Sequence, residues 1–264
     1  MRHAINVPNS GTPGQLLALA EAADAHGWDG FFCWDHLHLT RGGPATPVFD
    51  PFVLLGAIAT RTSRVRLGTL VTPLPRRRPQ KLAKEYVTLD HLSDGRVIVA
   101  LGLGVPPELE YAAFGEPSSD RDRAERLDEG LAILDPLLRG DRVDVTGAHL
   151  EAHTRLAPGT VQTPRPPIWL AGRASRPKPL ARALRWDGYF PIGDDGEPLR
   201  PEELGELLDA KELPEGFDLV ASQADGVDPA AYAAVGVTWL IQSRWPGPGW
   251  QDEIRAIIEA GPPT

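Results

Sequence analysis

At 264 residues, 42% hydrophobic and 24% charged, the chain has the length and core-forming content of one α/β barrel domain. A formal net charge of −9 argues against nucleic acid as a general partner, because a phosphate backbone calls for a basic face. A single cysteine, Cys33, excludes an internal disulfide and a cysteine-rich zinc site; with no run of about 18 apolar residues and no signal-peptide core, a cytoplasmic protein is expected.

In chain order, His3 to Val7 reads as a short strand, and Thr12-Pro13 opens a helix with apolar positions at Leu16, Leu17, Ala20 and Ala23, ended by Gly27. Asp29 to Trp34 is a second strand, in which Cys33 reads as a small buried hydrophobe. A polar loop, DHLHLTRGGPATPV, leads to Asp50 as N-cap and Pro51 as the first residue of a second helix. The third strand is VRLGTLV, from Val65, which lacks polar alternation and therefore reads as covered on both faces. It runs into Thr72, Pro73 and the three arginines 76 to 78, after which Pro79 starts a helix reaching about His91.

Arg96 to Gly102 predicts strand four, followed by Gly104 and Val105-Pro106-Pro107. A helix from about Arg121 to Arg139 shows leucines at 127, 131, 134 and 138 on one face. Arg142 to His153 reads as a small hairpin with its turn at Thr146-Gly147. Pro167 to Gly172, Asp187 to Ile192, Phe217 to Ser222 and Val237 to Ser243 supply strands five to eight, with helices between them, including one from Glu202 to Leu213. Eight strands alternating with helices predict a (β/α)8 barrel of one domain, residues 1–264, ahead of an open doubly wound sheet.

In such a barrel the chemistry sits on the loops that follow the strands. Asp35, His36 and His38 follow strand two. The His36/His38 pair fits a metal-dependent barrel hydrolase only if other strand ends supply ligands, and the remaining histidines do not fall there; acid–base or cofactor contact and plain hydrogen bonding are the other readings. LAGRAS, opening a helix, is a phosphate-site candidate through its small residues and Arg173, with an ordinary turn as the alternative. The arginine triplet reads either as a solvated basic turn or as a contact for an anionic group.

Taken in order, LALAEAADAHGWDGFFCWDHLH, DPFVLLGAIATRTSRVRLGTLVTPLPRRRPQKLAKEYVTLDHLSDGRVIVALGLG, RAERLDEGLAILDPLLRG, PPIWLAG and RWDGYFPI resemble the bacterial luciferase-like family of flavin- and deazaflavin-dependent oxidoreductases, over most of residues 1 to 192. The resemblance implies a (β/α)8 barrel that binds FMN or coenzyme F420 at its C-terminal face and acts on a small organic substrate, as an oxidoreductase or monooxygenase. Position by position, it implies Asp35 and His36 beside the ring, with His36 near the reacting carbon as the catalytic residue, a proton donor or hydrogen-bonding partner to the substrate. It implies a non-proline cis peptide between Thr69 and Leu70 backing the ring, Thr72 at the ring's polar edge, Gly104 flanking it, and Ala171, Gly172 and Arg173 holding the phosphate. The Asp35-His36 pair and the arginines lean the choice toward F420, whose tail is anionic.

The chain departs from the family pattern in three places. Val105-Pro106-Pro107 stands where deazaflavin-dependent sugar-phosphate dehydrogenases carry an acid, the phosphate loop reads Ala-Gly-Arg, and the late loops are short. A non-catalytic flavin-binding member is therefore the alternative to an enzyme. Dimerisation through the helix carrying LLGAIA is a further expectation of the resemblance, and that stretch serves equally as core.

Overall fold

The computed structural model describes residues 1–40, 45–209 and 211–263, and its parallel strands form a barrel. The strands are β1 (Arg2–Val7), β2 (Gly30–Cys33), β3 (Arg66–Thr69), β4 (Thr72–Pro73) and β5 (Val99–Gly102), then the hairpin β6 (Arg142–Thr146) and β7 (Glu151–Arg155) outside the barrel, then β8 (Ile168–Arg173), β9 (Gly188–Ile192), β10 (Asp218–Ser222) and β11 (Trp239–Ser243). Their spatial order is β3-β2-β1-β11-β10-β9-β8-β5-β4. Since β3 and β4 are two pieces of one stave, the ring has eight. It closes where Leu67 bridges Val97: the Leu67 N–H donates to the Arg96 carbonyl at 2.9 Å and the Ile98 N–H to the Leu67 carbonyl at 2.8 Å. Gly68 makes that closure sterically allowed, because a Cβ there would lie 2.2 Å from the Ile98 carbonyl oxygen.

Helices α1 (Pro13–Ala25), α2 (Pro51–Ala59), α3 (Pro79–Leu92), the single turn α4 (Pro107–Glu110), α5 (Asp120–Arg139), α6 (Pro177–Ala183), α7 (Pro201–Leu208), α8 (Pro229–Ala234) and α9 (Trp250–Ala260) lie between the strands. All but α5 and α9 begin on proline, whose fixed φ suits the first helical residue and whose missing N–H costs nothing there. Asp50 caps α2 through Val53 N–H, and Thr12 with Gln15 closes a capping box on α1. The outer core joins these helices to the barrel, while Ala4, Phe32, Ile98, Ala100, Trp169, Val220, Trp239 and Ile241 fill its interior. Each large side chain buried this way contributes about 1.5–3 kcal/mol. Cys33 is fully buried and burial pushes its thiol up to about 12, so it is a packing residue.

The eight predicted strands are all present, with corrections of extent to two of them and to one helix. The third is interrupted at Leu70-Val71, where the chain leaves the ladder before resuming at Thr72. The fourth begins at Val99 rather than Arg96, whose guanidinium is tied to the carbonyls of Ala59, Thr62 and Val65. The helix expected to reach Leu213 ends at Leu208, after which Lys211 N–H turns back to the Leu208 carbonyl; position 210 lies outside the described residues, as do 41–44 of the loop after β2.

Candidate active site

The C-terminal ends of β2, β4 and β5 meet in a buried set of charges. Asp35, just past β2, is 2% exposed and faces two guanidiniums. Arg76 Nη2 donates to the Asp35 carboxylate at 2.7 Å and to its main-chain carbonyl at 3.1 Å, and Arg77 Nη2 reaches both carboxylate oxygens at 2.8 and 2.7 Å. Arg77 also lies over the Phe52 ring, 5.3 Å from its centroid. The second carboxylate is Glu110, the last residue of α4, whose side chain is fully enclosed. It pairs with Arg76 Nη1 and accepts the main-chain N–H groups of Leu37 at 3.2 Å and His38 at 3.4 Å. Two carboxylates thus meet two guanidiniums, so the desolvation that burial imposes is offset by pairing.

Glu110 also decides the state of His36. Its Oε1 lies 2.9 Å from His36 Nδ1. A carboxylate that already accepts two main-chain N–H groups and an arginine has only acceptors to offer, so Nδ1 carries a hydrogen, and the ring's charge decides whether Nε2 keeps its lone pair. Burial, and next to it the positive charge of Arg76, push the imidazole pKa down to about 4, against the pull of Asp35. The main chain at His36 is fixed from below by Asn9, fully buried, whose Nδ2 donates to the carbonyls of His36 at 3.0 Å and Phe49 at 2.7 Å. His36 is thereby a neutral, oriented acceptor at the rim of the barrel.

The other predicted residues fall at defined stations on the same rim. Thr69 and Thr72 are fully buried, their hydroxyls bonded to each other at 2.7 Å, with Tyr86 3.3 Å from Thr69. The non-proline cis bond is between Leu70 and Val71, one residue later than expected. It falls at the two residues that leave the ladder between β3 and β4. Gly104 has φ +78, and its carbonyl and that of Leu103 are held by Arg123, with Tyr111 also donating to Leu103 at 2.6 Å.

Ala171, Gly172 and Arg173 form the half-buried end of β8. Gly172 packs so close to Pro179 that a Cβ would lie 2.3 Å from it, and Arg173 Nη1 donates to the Gly193 carbonyl at 3.0 Å and to that of Asp194. Val71 stands out of the ladder over Gly102, whose missing Cβ would lie 3.0 Å from a Val71 methyl carbon, so the barrel wall at β4 and β5 is aliphatic carbon and main chain, a surface that a planar ring system can lie against. The residues fit a flavin or deazaflavin.

Two readings change. The arginines of the basic turn are not open at the mouth: the Arg76 and Arg77 side chains are 6% and 18% exposed and paired with carboxylates, and only Arg78 faces solvent. The metal reading also lacks a ligand set, since among the described residues neither His36 nor His38 belongs to a group of three His, Cys, Asp or Glu side chains close enough to share a cation. Among the described residues the group close enough to share a cation is Asp122, Glu125 and His149, on α5 and the hairpin turn. Glu110 and Asn9 were missed from the sequence. A signal for Glu110 existed: Pro107 at a helix start, followed by acids at 108 and 110, places a carboxylate one turn into a helix on the strand-five rim.

This is a (β/α)8 barrel with a histidine, oriented by a carboxylate, on its C-terminal rim. The chain belongs to the luciferase-like monooxygenase family, whose sequence model matches residues 1–234. An F420-dependent glucose-6-phosphate dehydrogenase of Beutenbergia cavernae is 36% identical over 197 residues, which is 73% of this chain and 56% of that relative, so the chain spans a little over half the relative's length. Among solved structures, the coenzyme F420 dependent tetrahydromethanopterin reductase of Methanopyrus kandleri superposes with a TM-score of 0.78 over 98% of both chains at 15% identity. The monooxygenase RslO1 of Streptomyces bottropensis gives 0.68 over 98% of this chain and 79% of its own at 25% identity.

Proposed function

We propose that the chain is a flavin- or deazaflavin-dependent oxidoreductase acting on a small organic substrate. The observation that carries this is the His36 imidazole, held neutral with Nδ1 on Glu110 and Nε2 available on the rim where the family places its cofactor. Leu70, Val71 and Gly104 would lie along the ring, and Ala171, Gly172 and Arg173 at its phosphate; when bound, the cofactor supplies the hydride or oxygen chemistry. Thr69 and Thr72, bonded to each other, stiffen the turn beneath the ring, and Asp35 acts through the arginines it holds. With the cofactor bound as the hydride acceptor, His36 Nε2 would take the proton of a substrate hydroxyl on the carbon being oxidised, and would return it in the reverse direction.

F420 is favoured over FMN. The support is no longer the arginine turn but the relatives, which carry F420-dependent names. A protein without a cysteine-rich site, with no helix among the described residues long and apolar enough to cross a membrane, is read as a cytoplasmic, single-barrel enzyme that forms a homodimer. Val53, 76% exposed on α2, is the apolar residue offered to a second copy; mass in solution by light scattering checks it. The function is tested by titrating the purified protein with F420 and with FMN and following absorbance. Binding of one is expected, and binding of neither overturns the proposal. His36→Asn should leave that binding intact and lower turnover at least about a hundredfold; unchanged turnover removes His36 from the mechanism.

A further inference from the structure

Toward the C-terminal end of the barrel, two buried polar atoms have no partner among the described residues, Asn6 Oδ1 and Ser243 Oγ; Trp239 Nε1, another such atom, lies at the start of β11. The first two are neighbours. Asn6 on β1 and Ser243 on β11 are register partners on adjacent parallel strands, two residues beyond Ala4 and Ile241, which pair in the same ladder and point into the barrel interior. Side chains two apart share a face of the strand, so Asn6 and Ser243 stand side by side at the top of that interior. The Asn6 amide is oriented by its Nδ2, which donates to the Leu70 carbonyl at 3.4 Å, leaving Oδ1 as a bare acceptor. Ser243 Oγ can both donate and accept. Buried polar atoms are nearly always satisfied, so this pair calls for a partner from outside the chain.

The ring order of the strands indicates which partner. The residues proposed for the cofactor lie on β3, β4, β5 and β8, and β1 and β11 occupy the opposite arc. Beside them stands an aromatic wall: Trp34, past β2, has its ring edge-on to His36 at 5.8 Å and to Trp245, past β11, at 4.9 Å between centroids. Trp34 is 9% exposed and Trp245 41%.

We propose that Asn6 and Ser243 are the polar floor of the substrate pocket and hold a hydroxyl, other than the one that would give its proton to His36, of an uncharged alcohol whose apolar or aromatic body lies against Trp34 and Trp245. A hydroxyl satisfies both atoms at once, donating to Asn6 Oδ1 and accepting from Ser243. A phosphate or carboxylate oxygen would instead meet the Asn6 acceptor lone pairs, so the floor selects against the charged head of a sugar phosphate. The inference rests on the proposed location of the cofactor, and assigns the substrate class within the same mouth.

The test is binding, without turnover. Wild-type protein, free and loaded with FMN or F420, is titrated by ligand-observed NMR with 1-phenylethanol, ethylbenzene and phenyl phosphate, in parallel with Ser243→Ala and Asn6→Leu. The alcohol should bind about fivefold or more tighter than the hydrocarbon, and the phosphate no better than the hydrocarbon. In Ser243→Ala that preference should fall to about twofold or less with cofactor affinity unchanged. Ser243 Oγ has no bond among the described residues, so this variant keeps the test alive even where Asn6→Leu fails to fold.

An alcohol preference that survives Ser243→Ala, no binding of the alcohol, or tighter binding of phenyl phosphate each overturns the proposal. So does a loss of cofactor affinity in Ser243→Ala, which would assign the pair to the cofactor instead. Failure of His36→Asn to change turnover would overturn the functional reading while leaving the alcohol preference standing, so the two failures are separable.

Discussion

The two arginine-bearing stations on the barrel rim look alike in sequence and differ in kind. Arg76 and Arg77 are matched by Asp35 and Glu110, charge against charge, with their side chains 6% and 18% exposed. Among the described residues, Arg173 donates to main-chain carbonyl oxygens alone, those of Gly193 and Asp194. The first arrangement cancels its own charge and so serves the fold; the second keeps a full positive charge and is the one able to meet an anionic phosphate. An arginine's function on this rim is therefore read from what neutralises it, not from its presence.

The sharpest way to break this contrast is Arg76→Met. It leaves Glu110 and part of Asp35 without a counter-charge in a dry environment, and should cost about 3 kcal/mol or more of stability in urea denaturation. A loss below about 1 kcal/mol would mean that the charges act independently of one another. Arg173→Ala should do the opposite. Cofactor affinity should weaken about tenfold in a titration, while stability changes by no more than about 1 kcal/mol. If affinity holds, Arg173 only ties the loop after β9 to the end of β8.

Much of the barrel was legible because its signals are local. Prolines mark helix starts, unbroken apolar runs mark strands buried on both faces, and turns separate them. The cis bond was misplaced by one residue because Leu70 and Val71 are equally apolar, and periodicity does not say which of them leaves the ladder. The site was legible only in part. His36 and Asp35 stand together at a strand end, but their partners lie 74 and 41 residues away, and nothing in a linear reading pairs Glu110 with His36 or turns Arg76 inward. Asn6 and Ser243 were out of reach altogether: they lie at opposite ends of the chain and meet only because β1 and β11 adjoin in the closed ring.

The charge pairing also has a pH signature, smaller than either substitution. His36 has a folded-state pKa near 4, below the 6.5 of an exposed histidine, through burial and Arg76. Between those values the unfolded chain binds a proton that the folded one does not, so stability rises with pH across that interval. Above pH 6.5 the contribution is fully present; it is lost progressively as pH falls toward 4, and below that it changes no further. His36→Asn removes the titrating group while keeping a hydrogen-bonding side chain. The difference in urea midpoint between parent and variant should therefore shift in the variant's favour from pH 7 to pH 4. A difference constant over that range would mean that the fold leaves the His36 pKa where the unfolded chain has it, and a shift in the parent's favour toward low pH would mean that the fold holds the imidazolium, with Nε2 a donor and His36 acting as the acid rather than as the base.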